Sequence, residues 1–357
     1  MSRLTRKDEH IFSSLRLAGR RPESGFSDIS LVHNALPEIA VSDISLRTIL
    51  FGKTLHAPLV INAITGGGRV PAEINQALAA AARETGLAMA VGSQTVAVEK
   101  PKYEESFRVV RKENPSGLIM ANVGAHVSVE AARRAVEMIS ADALQVHLNV
   151  PQEAVMREGD RDFRGWLKNI SIMAAKIAVP LVVKEVGFGL SREVVRRLYE
   201  AGVRNFDVGG RGGTNFIAIE YLRSELKGSS LETWGITTAA SLVEVKSSGM
   251  AETVIATGGI LNGLDAAKAL ALGADAAGIA GPYLKVVFER GAAGLIQVIE
   301  NMKSDLKRVL LMTGTRRPSH LKYVPLVITG GTREWLRERG IDTTPYARRG
   351  WQRRDDD

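Results

Sequence analysis

Residues 146–153 read VHLNVPQE, an apolar run that ends in an imidazole, a primary amide, a second amide and a carboxylate. Apolar strands rarely finish that way. Ala143, Leu144, Val146, Leu148 and Val150 fit a buried strand, whose two-residue period sends His147 and Asn149 out of one face. Pro151 has no amide hydrogen for a ladder, so Gln152 and Glu153 are expected in the loop just past the strand. Four polar groups at one strand terminus can orient a polar ligand. The plain alternative is that His147 and Asn149 are hydrogen-bonded core groups and Glu153 is solvated.

Lys184 lies inside a second apolar run, PLVVKEV, where an ammonium is costly unless it meets an anion. A structural pair with Glu185 or another carboxylate would satisfy it, and so would an electron-rich ring or a phosphate. Thr65, Ser93 and Asn122 end further apolar runs, and their hydroxyls and amide suit the edge of a flat heteroaromatic ring with alternating donors and acceptors. Gly258-Gly259 and Ala280-Gly281 end two later runs, where glycine lets backbone approach a phosphate and a following helix adds oriented amide donors. Phosphate and ring together point to flavin mononucleotide (FMN). Glu153 among amides suits a hard cation that completes its shell with phosphate oxygens, as Mg²⁺ does. Arg6, Lys7 and His10 put three donors on one short segment, which would close over an anionic substrate if ordered.

These residues need a frame that gathers strand ends. Eight apolar runs recur at 58–64, 88–93, 117–124, 143–149, 180–186, 205–210, 253–259 and 276–282. Helix-period segments follow at 72–85, 103–112, 129–139, 163–177, 192–201, 238–247 and 264–272, with a long final helix near 283–311. Such alternation implies a parallel sheet covered on both sides, and eight units predict a single closed (β/α)8 TIM barrel in the α/β class. Its site would lie at the C-terminal strand ends. The expected organisation is an N-terminal extension with a substrate-closing arm (1–57), the barrel (58–315) and a C-terminal segment and tail (316–357). The extension and residues 211–235 are longer than plain connections and are expected to add lid or cofactor contacts. The terminal RRGWQRRDDD is expected to be a frayed, solvated tail.

A chain of 357 residues that is 45% hydrophobic can fill one large core. With no cysteine it has no disulfide, thiolate metal site or thiol nucleophile, which suits a cytoplasmic location. Residues 1–19 are charged and lack the apolar stretch of a signal peptide, and no segment approaches the roughly 20 apolar residues that span a bilayer. A soluble protein without membrane contact is expected. The formal charge of +8 favours acidic partners, but the basic residues are dispersed and only 5% of residues are aromatic, too few to stack bases. Small phosphorylated molecules are therefore preferred over nucleic acid.

The motifs RKDEH (from Arg6), INAITGG (from Ile61), VGSQ (from Val91), ANVG (from Ala121), VHLNVPQE, VVKEVGFG (from Val182), GGRGGTNF (from Gly209), TGGI (from Thr257) and AGP (from Ala280) together resemble type 2, flavin-dependent isopentenyl diphosphate isomerases. The resemblance runs from about Arg6 to Arg348. It implies a (β/α)8 barrel that binds FMN, needs Mg²⁺ and NADPH, assembles into homo-oligomers of four or eight chains, and interconverts isopentenyl and dimethylallyl diphosphate in isoprenoid biosynthesis. By position, Ala63, Ile64, Thr65, Ser93, Asn122, Lys184, Thr214, Gly258, Gly259, Ala280 and Gly281 match its flavin residues. Arg6, Lys7, His10, Ser93, His147, Asn149 and Gln152 match its substrate residues, and Glu153 its Mg²⁺ ligand. Thr95 departs from the pattern, since some members carry an arginine there for the diphosphate.

The implied reaction adds a proton to one carbon of a weakly basic alkene and removes one from another, with no net redox change. Reduced FMN is expected to exchange the proton at N5 and to face the developing positive charge, with Gln152 positioning or relaying the second proton and His147 and Asn149 orienting the diphosphate. An FMN-dependent 2-hydroxy acid oxidase is the nearest rival. GGRGGTNF supplies Arg211 but no adjacent histidine base, which argues against it. A non-catalytic phosphate-binding or nucleic-acid-binding protein would instead be colourless and fail to take up FMN.

Overall fold

The computed structural model describes residues 9, 12–13, 15–17, 22–224 and 228–350. Its strands are β1 Ile29–Leu31, β2 Thr48–Leu50, β3 Lys53–Leu55, β4 Leu59–Ile61, β5 Ala88–Ala90, β6 Ile119–Gly124, β7 Ala143–Leu148, β8 Leu181–Glu185, β9 Asn205–Asp207, β10 Thr253–Thr257, β11 Ala276–Ile279 and β12 Leu326–Ile328. Strands β4 to β11 close into an eight-stranded parallel barrel, with β11 pairing back onto β4. The TIM barrel expected from the strand count is therefore the fold. The apolar runs overshoot the strands mainly at their C-terminal ends, because those residues leave the ladder to form the loops above the barrel.

The helices are α1 Arg69–Thr85, α2 Thr95–Glu99, α3 Glu105–Glu113, α4 Val129–Met138, α5 Val150–Val155, α6 Trp166–Lys176, α7 Arg192–Glu200, α8 Phe216–Arg223, α9 Thr238–Ser247, α10 Gly263–Leu272, α11 Gly281–Met312, α12 Gly330–Glu338 and α13 Thr344–Ala347. They cover the outside of the barrel, so strands such as β4, β6 and β8 are buried along their whole length, which is why they read as unbroken apolar runs. The long final helix is not continuous: Gly291 has a left-handed φ of 63° and breaks α11.

Inside the barrel, Val60, Ala88, Leu118, Met120, Ala143, Ile255 and Ala276 pack as a cluster that includes Leu50 and Leu55. Those two leucines belong to the β2–β3 hairpin, whose central residues Phe51 and Gly52 both have positive φ (46° and 78°), as a two-residue hairpin turn with right-handed twist requires. The hairpin thus packs against the strand starts, opposite the C-terminal strand ends. This part of the N-terminal extension is a floor, not a lid, because Leu50 and Leu55 are buried in that cluster. β1 pairs antiparallel with β12, joining the extension to the C-terminal segment. The terminal segment also departs from the frayed tail as far as it is described: the Arg349 guanidinium lies 4.3 Å over the Tyr346 ring, and its Nη1 donates to the Ala271 carbonyl at 2.7 Å. Residues 351–357 lie outside the described residues.

Candidate active site

The C-terminal strand ends enclose a cavity of about 750 Å³. Its lining includes Ala63, Ile64, Thr65, Ser93, Asn122, His147, Asn149, Gln152, Glu153, Lys184, Thr214, Gly258, Gly259, Ala280 and Gly281. Every described residue singled out in the sequence as a site residue therefore meets in one place. Arg6, Lys7 and His10 lie outside the described residues. Of the described residues nearby, Glu9 bonds Arg223, the Phe12 ring meets Phe288 edge-on at 6.0 Å, and Leu17 reaches the cavity. Glu9, Phe12 and Leu17 thus lie against the barrel of their own chain.

Gln152 and Glu153 are not in a loop. They sit on α5, which starts with Val150 and Pro151. Proline lacks the amide that a ladder needs, but the first turn of a helix has no use for that amide either, so the residue that ends the strand begins the helix. Asn149 precedes α5, and its Nδ2 donates to Glu153 Oε1 at 2.8 Å, while Asp160 N donates to Glu153 Oε2 at 2.9 Å. Gln152 Nε2 donates to Glu220 Oε1 at 3.2 Å. Glu220, on α8, is buried and pairs with Arg223, whose guanidinium also meets Glu9 and Glu158, each at 2.9 Å.

Beneath this group a chain of buried amides crosses the barrel. Asn62 Nδ2 donates to Asp207 Oδ2 (2.6 Å) and Thr257 Oγ1 (2.7 Å), and Gln145 Nε2 donates to Asn62 Oδ1 (2.9 Å). Asn122 Nδ2 donates to Gln145 Oε1 (2.9 Å), and Asn122 Oδ1 faces His147 Nδ1 at 2.9 Å. Lys184 is paired in register with His147 on one side and Asp207 on the other. Its Nζ donates to the Glu185 carbonyl at 2.7 Å. The Glu185 carboxylate accepts the amides of Val186, Gly187 and Phe188, yet burial outweighs them and pushes its pKa up to about 7.

Above β10 and β11 the wall is backbone. A side chain at Gly258 would put its Cβ 2.2 Å from the Gly210 carbonyl oxygen, and one at Gly259 would stand 2.6 Å from that of Gly212. Both glycines have positive φ, so only glycine gives this tight concave wall. The N-terminus of α11 opens beside it at Gly281, adding the partial positive charge of a helix start. This cradle, with the hydroxyls of Thr65, Ser93 and Thr214 and the amide of Asn122 around it, fits a ring carrying one phosphate. Ser93 Oγ and Thr95 Oγ1 lie 3.0 Å apart, so Thr95 offers a hydroxyl to the cavity. Arg211 turns away: its Nε donates to the Gly235 carbonyl at 3.2 Å, and no arginine lines the cavity among the described residues.

Sequence reading missed Asn62, Gln145, Asp207, Glu220 and Arg223. Gln145 stands two residues before His147, and the strand period that placed His147 and Asn149 on one face also places Gln145 there. Glu220 is a carboxylate within the apolar stretch IAIEYL, the same kind of signal that singled out Lys184.

Residues 102–326 match the family model described as FMN-dependent dehydrogenase. The chain is 53% identical over 316 residues to the isopentenyl-diphosphate delta-isomerase of Moorella thermoacetica, spanning 88% of this chain and 91% of that protein. It is 47% identical over 348 residues to that of Bacillus pumilus, spanning 97% and 98%. Among solved structures, it resembles a lactate oxidase of Pediococcus acidilactici (TM-score 0.66, 16% identity, 90% of this chain and 94% of that one). A mandelate oxidase variant is similar (TM-score 0.64, 18% identity, 90% and 94%). At these identities the solved structures show the fold alone.

Proposed function

This chain belongs to the isopentenyl-diphosphate delta-isomerase family and to the FMN-dependent dehydrogenase group, and on that premise we propose that it interconverts isopentenyl and dimethylallyl diphosphate. One observation carries the reading: a single cavity holds both the glycine cradle above β10 and β11 and the polar group of His147, Asn149, Gln152 and Glu153. The oxidase reading lacks such support, because a 2-hydroxy carboxylate finds no arginine among the described lining residues.

FMN would be held by Ala63, Ile64, Thr65, Ser93, Asn122, Lys184 and Thr214 around its ring and chain, and by Gly258, Gly259, Ala280 and Gly281 at its phosphate. When bound and reduced by NADPH, the flavin supplies an electron-rich face and an exchangeable N5 proton to the alkene. The chain's own residues do the rest. His147 and Asn149 hold the diphosphate, aided by Ser93 and by Arg6, Lys7 and His10 of the arm. Gln152 is itself a poor acid and base, so it positions the second proton or relays it to and from the Glu220 carboxylate, which accepts from its amide. Among the described residues no three metal-ligating side chains cluster, so Mg²⁺ would bind Glu153 and complete its shell with diphosphate oxygens and water. Both Glu153 oxygens already accept one donor each, which leaves a lone pair on each for the ion.

The setting we propose is a cytoplasmic homo-oligomer of four or eight chains with no nucleic-acid or membrane partner. No described helix is long and apolar enough to cross a bilayer. The test is anaerobic incubation of isopentenyl diphosphate with protein, FMN, NADPH and Mg²⁺ in heavy water. Deuterium in the dimethylallyl product, appearing only after flavin reduction, is expected. Full turnover without flavin would overturn the reading.

A further inference from the structure

We propose that Gln145 is a positioning residue that locks the His147 ring as its Nδ1–H tautomer, so that His147 meets an anionic ligand through Nε2 and donates to it only as the imidazolium. Gln145 is fully buried in the barrel and is not among the residues that line the cavity.

Donor and acceptor roles are fixed one after another along the amide chain. The Ala63 backbone N–H can only donate, so the Asn62 atom 2.8 Å from it is Oδ1. Asn62 Nδ2 therefore faces Asp207 Oδ2 and Thr257 Oγ1, both of which can accept. Because Asn62 Oδ1 faces Gln145, the Gln145 atom there must be Nε2, which turns Gln145 Oε1 toward Asn122. Asn122 then presents Nδ2 to Gln145 and Oδ1 to His147. Two acceptors 2.9 Å apart would repel, so His147 Nδ1 carries the proton. The neutral ring then has its unprotonated nitrogen at Nε2, an edge that accepts when the ring is neutral and donates only as the imidazolium. The titratable groups sharing the cavity with His147 are Lys184 and Glu185 on β8, His126 beyond β6, Glu153 on α5, Glu158 and Asp160 after α5, and Glu232 beyond α8. Asp207 on β9 anchors the far end of the chain.

Only the identity of the anion rests on the proposed function; the tautomer does not. The test is a long-range ¹⁵N–¹H correlation spectrum of FMN-loaded protein labelled at histidine nitrogens, with His147 assigned by the signals lost in His147→Gln. Above the ring's pKa, a protonated Nδ1 and an unprotonated Nε2 are expected, and the opposite pattern would overturn the proposal. In Gln145→Met, which keeps the volume but removes the polar relay, Asn122 can turn over and an Nε2–H population should appear; an unchanged tautomer would remove Gln145 from this role. If that variant does not fold, the wild-type spectrum still decides the tautomer. A protein with the expected spectrum but no isomerase activity would sink the proposed function and leave the ring assignment standing.

Discussion

Replacing Arg223 with glutamine removes a cation that three carboxylates share. Its side chain is 8% exposed, and the three partners differ: Glu9 and Glu158 are 31% and 39% exposed, whereas Glu220 is 2% exposed. Exposed pairs of the first kind contribute ~0–1 kcal/mol each. Removing the partner of a buried charge costs ~3–5 kcal/mol, because the ion left behind has lost its compensation without regaining water. The buried Glu220 contact should therefore dominate, and Arg223→Gln is expected to lower stability by ~3–5 kcal/mol. Arg83→Gln serves as the control, since Arg83 also pairs with two carboxylates, Glu84 and Glu113, but is 46% exposed. Its loss should cost far less, because water already screens both of its pairs. Urea unfolding of FMN-loaded protein measures both, and equal m-values are required for the comparison. The same variant should lose turnover while retaining flavin, because Glu220 anchors the Gln152 amide. Equal destabilisation by the two substitutions would refute the view that Arg223 compensates a buried charge.

Three further outcomes follow from the site. Gln152→Asn, which withdraws the amide by one methylene, should lose most activity with its flavin absorbance intact; unchanged steady-state turnover would remove Gln152 from the mechanism. Gly258→Ala would drive a Cβ to 2.2 Å from the Gly210 carbonyl oxygen and 2.5 Å from Thr238 Oγ1, so FMN affinity should fall at least about tenfold, ~1.4 kcal/mol. Gly249→Ala, with a positive φ but open space around it, should cost only the left-handed strain of ~1–2 kcal/mol and bind FMN normally; equal flavin dissociation constants, read by fluorescence quenching, would exclude a cradle role for Gly258. Glu185, raised to about 7, holds a proton in the folded state that the unfolded chain releases near its ordinary value of 4.5. Stability from this group is thus present below that ordinary value and is lost as pH rises through about 7. Glu185→Gln should flatten this decline in chemical unfolding measured across the window, and parallel curves for the two proteins would contradict it.

What was legible from the sequence follows from how each residue conflicts with its surroundings. His147, Asn149 and Lys184 are polar groups on otherwise apolar strands, so burial and polarity disagree within a few residues and the site shows itself locally. The eight-unit alternation had the same local origin, and it was enough to predict the barrel. The β2–β3 floor was hidden because Phe51 occupies a left-handed turn position where asparagine or glycine would have announced the hairpin. The β1–β12 pair joins Ser30 to Val327, and nothing near either residue reports a partner so far along the chain. Pro151 was misread for a different reason: its missing amide is equally consistent with a strand that stops and a helix that starts, and only the Asn149–Glu153 bond, one turn apart, separates the two.

The amide chain sets a deeper limit. Asn62, Asn122 and Gln145 can each donate and accept, so residue type leaves the direction of every bond in the chain open. Direction enters only where a group with a single role joins, here the Ala63 N–H at one end. From that point each amide forces the next, and the final consequence falls on His147, three side chains away. A change at Gln145 would therefore alter the proton that His147 presents without touching any ligand, whereas a change at Asn149 or Gln152 would alter the contacts themselves. Two substitutions in the same strand region thus separate proton placement from ligand contact, a distinction that depends on distances between side chains and not on their identities.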